Sequence, residues 1–136
     1  MAVSEFEVEE AQAAASDGGA AKRVYVRRIF SEIAPRYDLL NHLLSFNIDR
    51  AWRRKALAVL GWERKPAGTY VDVCAGTLDV SAQLAGCRGF AGRIIGADFA
   101  EPMLRAGRGK VSEATVSPVV SDALQLPVRD NSASGA

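Results

Sequence analysis

Apolar residues along this chain follow two periods, and the change from one to the other divides it. From Lys22 onward Val26, Ile29, Phe30 and Ile33 form a stripe at helical spacing, and Pro35 is expected to stop that helix. Tyr37, Leu39, Leu40, Leu43 and Leu44 make a second, short amphipathic segment. A third helix starts at Asn47 or Asp49, either of which can cap it, and runs to Leu60 with Gly61 as its stop. Then the period shortens. Thr69–Cys74 is a β-branched and aromatic run bounded by Pro66 and Gly68, and it predicts a buried strand. Ala75, Gly76 and Thr77 turn the chain, and from Leu78 the spacing of Val80, Leu84 and Cys87 predicts a helix. Arg93–Asp98 reads as a second strand ending in an acid. Glu101 opens another helix, with Pro102 suited to its first turn and Gly107 and Gly109 weakening its end. Val116–Val120 reads as a third strand, which Pro118 places toward a sheet edge.

Composition adds boundaries to this pattern. Residues 1–21 are rich in Ala, Glu, Ser and Gly and predict a disordered tail, with a transient helix at Val8–Ala15. Residues 22–64 then form a helical cap, and 65–136 the strand-bearing domain. A net charge of +1 over 136 residues gives no global support for binding nucleic acid. The two cysteines, Cys74 and Cys87, fall in a presumed core strand and helix, which favours core packing in a reducing compartment over a disulfide or a metal site. No apolar run approaches the roughly 20 residues that span a bilayer, and the N-terminus is acidic rather than signal-like. The expectation is a cytoplasmic protein able to lie against the inner face of the plasma membrane. Arg50, Arg53, Arg54 and Lys55 on the third helix are an ordinary solvated face or a basic face for anionic headgroups; the solvated face is the simpler reading.

The strand–turn–helix around Gly76 carries the chemistry. A tight small-residue turn aims a helix's free N–H groups and positive dipole end at whatever sits there. Asp98 lies about 20 residues past the turn, where nucleotide-binding α/β folds place the carboxylate that grips ribose hydroxyls. Ligands of open α/β sheets bind outside the carboxyl ends of the strands, so Gly76, Asp98 and Asp122 should converge. Asp72 is placed to hold the glycine turn by hydrogen bonding, and Asp79 to sit in the first helical turn beside the dipole. His42, the only histidine, is a proton acceptor or a partly exposed helix residue, and Tyr37 a packing aromatic or a lid contact. These features propose an adenosine-containing cofactor. A nicotinamide dehydrogenase shares the layout, but its fingerprint wants three glycines where this turn has one.

Three stretches together resemble one family: RIFSEIAPRYDLLNHLLSFNIDRAWRR (28–54), VDVCAGTLDVSAQLA (71–85) and SDALQLPVRDNS (121–132). They are similar to the ubiquinone/menaquinone biosynthesis C-methyltransferases (UbiE type), and the first stretch is the most specific because generic nucleotide folds lack it. The resemblance implies the N-terminal half of a doubly wound, Rossmann-like α/β sheet preceded by a helical cap. It implies S-adenosylmethionine as cofactor and methylation of a ring carbon of a prenylated hydroquinone, such as demethylmenaquinol or a methoxy-polyprenyl-benzoquinol. By resemblance Gly76 and Thr77 lie at the cofactor, Asp72 begins the motif, Asp98 binds ribose, and Asp122 and Ala123 flank the adenine. Tyr37 lies in the segment covering cofactor and quinone, and Tyr37 and His42 are the candidates for proton chemistry. Two departures carry expectations of their own. Leu78 stands where the family usually has glycine and is expected to crowd the cofactor, so that Leu78→Gly would tighten binding. The family also continues beyond the DNS segment, so the chain is expected to be an inactive first half. The Thr69–Cys74 strand, central in the family, would then be an open edge that invites self-association. Another class I small-molecule methyltransferase and a non-catalytic binding fragment are the other readings.

Overall fold

The computed structural model describes residues 19–45 and 48–136. Elements follow in the order α1 (Ala20–Ser45), α2 (Ile48–Leu60), β1 (Thr69–Val73), α3 (Asp79–Ala85), β2 (Arg93–Asp98), α4 (Glu101–Gly107) and β3 (Val116–Val120). The three strands form one parallel sheet in the order β1-β2-β3, with Tyr70 beside Ile94 and Ile94 beside Val116. Pro118, which has no N–H to donate, sits on the edge strand β3 as its chemistry requires. Among the described residues no helix is long and apolar enough to cross a membrane.

The helical cap departs from the sequence pattern at its centre. Pro35 does not stop a helix: α1 runs through it for 26 residues. An interior proline costs roughly 3 kcal/mol of helix stability, so tertiary packing must hold the element together. That packing is visible on both sides of Pro35. Ala34 is buried with Ala100 and Met103, Phe30 and Tyr37 flank them, and the Phe30 ring meets the edge of Phe99 with centroids 6.2 Å apart. Residues 1–18, including the transient helix expected at Val8–Ala15, lie outside the described residues, and Ala20 and Ala21 already belong to α1 rather than to a tail. Asn47 also lies outside them. Gly61, at φ 65°, follows α2 in the left-handed conformation expected of its stop.

The main core gathers Leu57 of α2, Trp62, Tyr70, Leu84, Ile94, Leu104 and Val116 around Leu78. Trp62 and Tyr70 both lean on Phe90, and the Tyr70 hydroxyl donates to the Lys65 carbonyl at 2.9 Å. The outer edge of β1 is not bare along its length. Val71 N–H donates to the Gly135 carbonyl at 3.0 Å and Ser134 N–H to the Thr69 carbonyl at 2.6 Å, so residues 134–135 lie parallel to the start of the strand. Val73, at the other end of β1, is exposed.

Leu78 overturns the expectation attached to it. Its backbone is left-handed, φ 62°, a conformation that costs a non-glycine residue about 1–2 kcal/mol. Its side chain, however, is fully buried and packs into the core. Gly96 on β2 provides the space: a Cβ there would stand 2.5 Å from a Leu78 methyl carbon. Burial of an entire leucine outweighs the backbone strain. Leu78→Gly is therefore expected to relieve the strain, open a cavity and lower unfolding stability by a net of about 2–4 kcal/mol. Urea denaturation checks this, and a midpoint equal to or above that of the parent chain contradicts it.

Candidate functional site

Asp98 ends β2 with its side chain turned back across the sheet edge. Its Oδ2 accepts the Gly76 N–H at 2.8 Å, its Oδ1 accepts the Ala100 N–H at 2.8 Å, and its main-chain carbonyl accepts Ser121 N–H at 2.9 Å. The turn itself is closed by Leu78 N–H to the Ala75 carbonyl at 2.9 Å, with Gly76 at φ 53°. Asp98, 8% exposed, thus joins the glycine turn after β1 and the turn after β2 through its carboxylate, and the end of β3 through its main-chain carbonyl. A carboxylate offers about four lone-pair sites, so two acceptor directions remain for a vicinal diol.

Asp72 holds a different part of the turn from the one expected. Its Oδ2 accepts both the Ser81 N–H at 3.1 Å and the Ser81 hydroxyl at 2.6 Å, fixing the first turn of α3 rather than the glycine. Burial pushes the Asp72 carboxyl above the ordinary carboxylate range, the neighbouring charges of Asp98 and Asp79 add to the rise, and the bonds from Ser81 only partly oppose it. Cys74, expected in the core, is instead exposed at the end of β1, because its left-handed backbone, φ 59°, turns it out of the strand. Cys87 is half-buried.

A cavity of about 210 Å³ opens beside this turn, with Tyr37, Asp72, Gly76 and Thr77 on its wall. Thr77 is 2% exposed and its Oγ1 accepts a bond from Lys110 Nζ at 3.1 Å. Lys110 also donates to Asp79 Oδ1 at 2.7 Å, while Asp79 Oδ2 faces Arg53 of α2 at 3.2 Å. Arg53 in turn pairs with Asp49, one helical turn earlier. Of the four basic residues expected on one face of α2, Arg53 therefore turns inward. Neither the place of Arg53 on the cavity wall nor the grip of Lys110 on Thr77 and Asp79 is evident from the chain. The four-residue spacing of Asp49 and Arg53 hinted at their pairing, but nothing local links Lys110 to a residue 31 positions earlier.

The expected convergence is realised in part. Gly76 and Asp98 meet directly, whereas Asp122 belongs to a second cavity of about 260 Å³, with Arg23, Phe99 and Ser121. There Asp122 Oδ1 accepts the Leu124 N–H at 2.9 Å and Oδ2 faces Arg23 at 3.3 Å; Ala123 follows, exposed, in the turn. At this cavity the Ser121 hydroxyl is buried with no hydrogen-bond partner among the described residues. Asp98 stands between the two cavities, hydrogen-bonded to the turn of one and the main chain of the other. Helix α1 crosses above both, contributing Arg23 to one wall and Tyr37 to the other. His42 lies on α1 in its last turns.

Parallel strands, a glycine turn leading into a helix, and an acid at the end of the next strand define half of a Rossmann-like nucleotide-binding fold. The chain belongs to the ubiE/COQ5 methyltransferase family, whose model matches residues 19–135. It is 40% identical over 122 residues to the demethylmenaquinone methyltransferase of Desulfitobacterium hafniense (strain Y51), a match covering 87% of this chain and 47% of that protein. It is 35% identical over 113 residues to the proteins of the same name from Bacillus cereus (strain AH187) and Bacillus anthracis (strain A0248), covering 81% of this chain and 47% of each. The chain thus spans about half the length of the curated relatives it matches. No solved structure matches it.

The raised pKa of Asp72 fixes a sign. The folded protein holds this proton more tightly than the unfolded chain, so stability falls as pH rises from the ordinary carboxylate value through the raised one. Asp72→Asn keeps an acceptor for Ser81 without the buried charge and should flatten that fall, with stability at pH 7 within about 1 kcal/mol of the parent or above it. Asp72→Ala strands the Ser81 hydroxyl and should cost about 1–3 kcal/mol. Urea titrations at acidic and neutral pH separate the two variants, and equal losses at both pH values would refute the account.

Proposed function

We propose that this chain forms the cofactor-binding portion of an S-adenosylmethionine-dependent C-methyltransferase that acts on a prenylated hydroquinone. The observation that carries the reading is the Asp98 carboxylate hydrogen-bonded to the Gly76 amide at the carboxyl ends of two parallel strands. Its two remaining acceptor directions fit a ribose diol, and the cavity beside the turn fits the polar end of the cofactor. The family match and the names of the relatives support the reaction and the substrate class. The cofactor supplies an electrophilic methyl group on a sulfonium, and the ring carbon that accepts it gives up a proton.

The protein's task is then alignment more than chemistry: an electron-rich carbon must be held in line with the methyl group, and water kept away. The glycine turn and Asp98 fix the adenosine side. Tyr37, on the wall of the first cavity, and His42, further along α1, are the groups we assign to the hydroquinone side, where taking up a phenolic proton makes the ring carbon a stronger nucleophile. Asp122 and Ala123 are assigned to the adenine edge of the second cavity, which supports a cofactor lying across Asp98 from one cavity to the other. The matched relatives carry as much chain again, and we assign the remainder of the quinone site to that portion.

Calorimetry with S-adenosylhomocysteine and with NAD on the same sample tests this assignment. The first should bind and the second should not, and Asp98→Ala should weaken binding by about 1.5–3 kcal/mol or more, since the substitution also releases the turn. Binding of NAD in preference, or an unchanged dissociation constant in the variant, defeats the proposal.

A further inference from the structure

The proposed function gives the first cavity to the polar end of the cofactor but names no side chain that holds that end. Beyond the glycine turn its lining carries charges of both signs: Arg53 pairs with the carboxylates of Asp49 and Asp79, and Asp72 lines the same cavity. Arg53 is the cation on that lining among the described residues, and its side chain is 17% exposed. It is also rigidly held. Nε donates to the Asp49 carbonyl at 3.3 Å, one terminal nitrogen pairs with the Asp49 carboxylate, and the other lies 3.2 Å from Asp79, which Lys110 grips from behind at 2.7 Å. A guanidinium has five N–H donors in a fixed planar fork, and these contacts use about three. A held, half-buried fork with donors to spare is suited to a planar carboxylate, and two flanking acids are suited to a nearby ammonium.

From this geometry we infer that Arg53 binds the α-carboxylate of the cofactor's amino-acid end, with Asp49 and Asp72 facing its ammonium group. The inference rests on the cofactor assignment and extends it to a residue of the helical cap. The salt bridges of Arg53 then do two things at once. They clamp α2 to the first turn of α3, and they aim the guanidinium into the cavity beside Gly76. A purely structural clamp has no reason to distinguish ligands, whereas a ligand-binding arginine does.

Two ligands that differ only in this end supply the test. S-Adenosylhomocysteine carries the amino-acid group and 5′-methylthioadenosine lacks it. The parent chain should bind the first at least about 10-fold more tightly, and Arg53→Gln should lose about 10- to 100-fold for that ligand while changing affinity for methylthioadenosine by no more than about 2-fold. Arg53→Lys, which keeps the charge but not the fork, should fall between them and carries the same comparison should the glutamine variant fail to fold. Equal losses for both ligands, or no loss for S-adenosylhomocysteine, overturn the role of Arg53 and leave the adenosine site standing. A parent chain that binds neither ligand overturns the cofactor assignment as well.

Discussion

Asp98 ties together the three chain segments that follow the parallel strands, two through its carboxylate and one through its main-chain carbonyl. Two backbone N–H groups, from Gly76 and Ala100, converge on its two oxygens at 2.8 Å, and its own carbonyl reaches Ser121 of the third loop. Charge-assisted bonds of this kind are roughly twice as strong as neutral ones, and burial to 8% exposure keeps water from competing for them. The glycine turn, the entry to α4 and the end of β3 are therefore bonded to one residue. A ligand that contacts Asp98 meets a surface already assembled, which is the condition for precise alignment of a reacting group.

On this platform the cap helices act as a roof with two supports. Phe30, Ala34 and Tyr37 of α1 rest on Phe99, Ala100 and Met103, immediately beyond the acid, and Arg53 of α2 rests on Asp79 at the head of α3. The first support is apolar, and it holds a helix through an interior proline. The second is ionic. The first cavity opens between Tyr37 and Arg53, and the second lies beside Phe99 against the N-terminal turns of α1. The stretch that makes the family resemblance most specific, 28–54, is the stretch that forms this roof.

Local pattern was sufficient wherever an element is defined by its own residues. Strands Arg93–Asp98 and Val116–Val120 and the Pro102 helix start stand where periodicity put them, because short apolar runs bounded by breakers leave few alternatives. It failed where tertiary contacts outvote local preference. Pro35 argues for a break, yet the contacts of Phe30 and Ala34 on α4 are stronger. Leu78 argues against a left-handed turn, yet the space above Gly96 admits its whole side chain. Cys74 belongs to an apolar run but follows the last residue of the strand, and one residue of offset exposes it. At the site, the approach of Gly76 and Asp98 to one another was legible from strand order and spacing, but not that Asp98, rather than Asp72, accepts the Gly76 N–H. The division into two cavities and the chain of charges from Asp49 to Lys110 were not, since they depend on how α1, α2 and the turn after α4 meet in space.

The central claim is that Asp98 serves as both the structural tie and the ribose contact, using different lone pairs for each. A crystal structure of the chain with S-adenosylhomocysteine examines both roles together. The account predicts ribose hydroxyls within hydrogen-bond distance of Asp98, with the Gly76 and Ala100 amides still bonded to the same carboxylate. Ribose bound away from Asp98, or bound to it only after the Gly76 amide has been released, would contradict it.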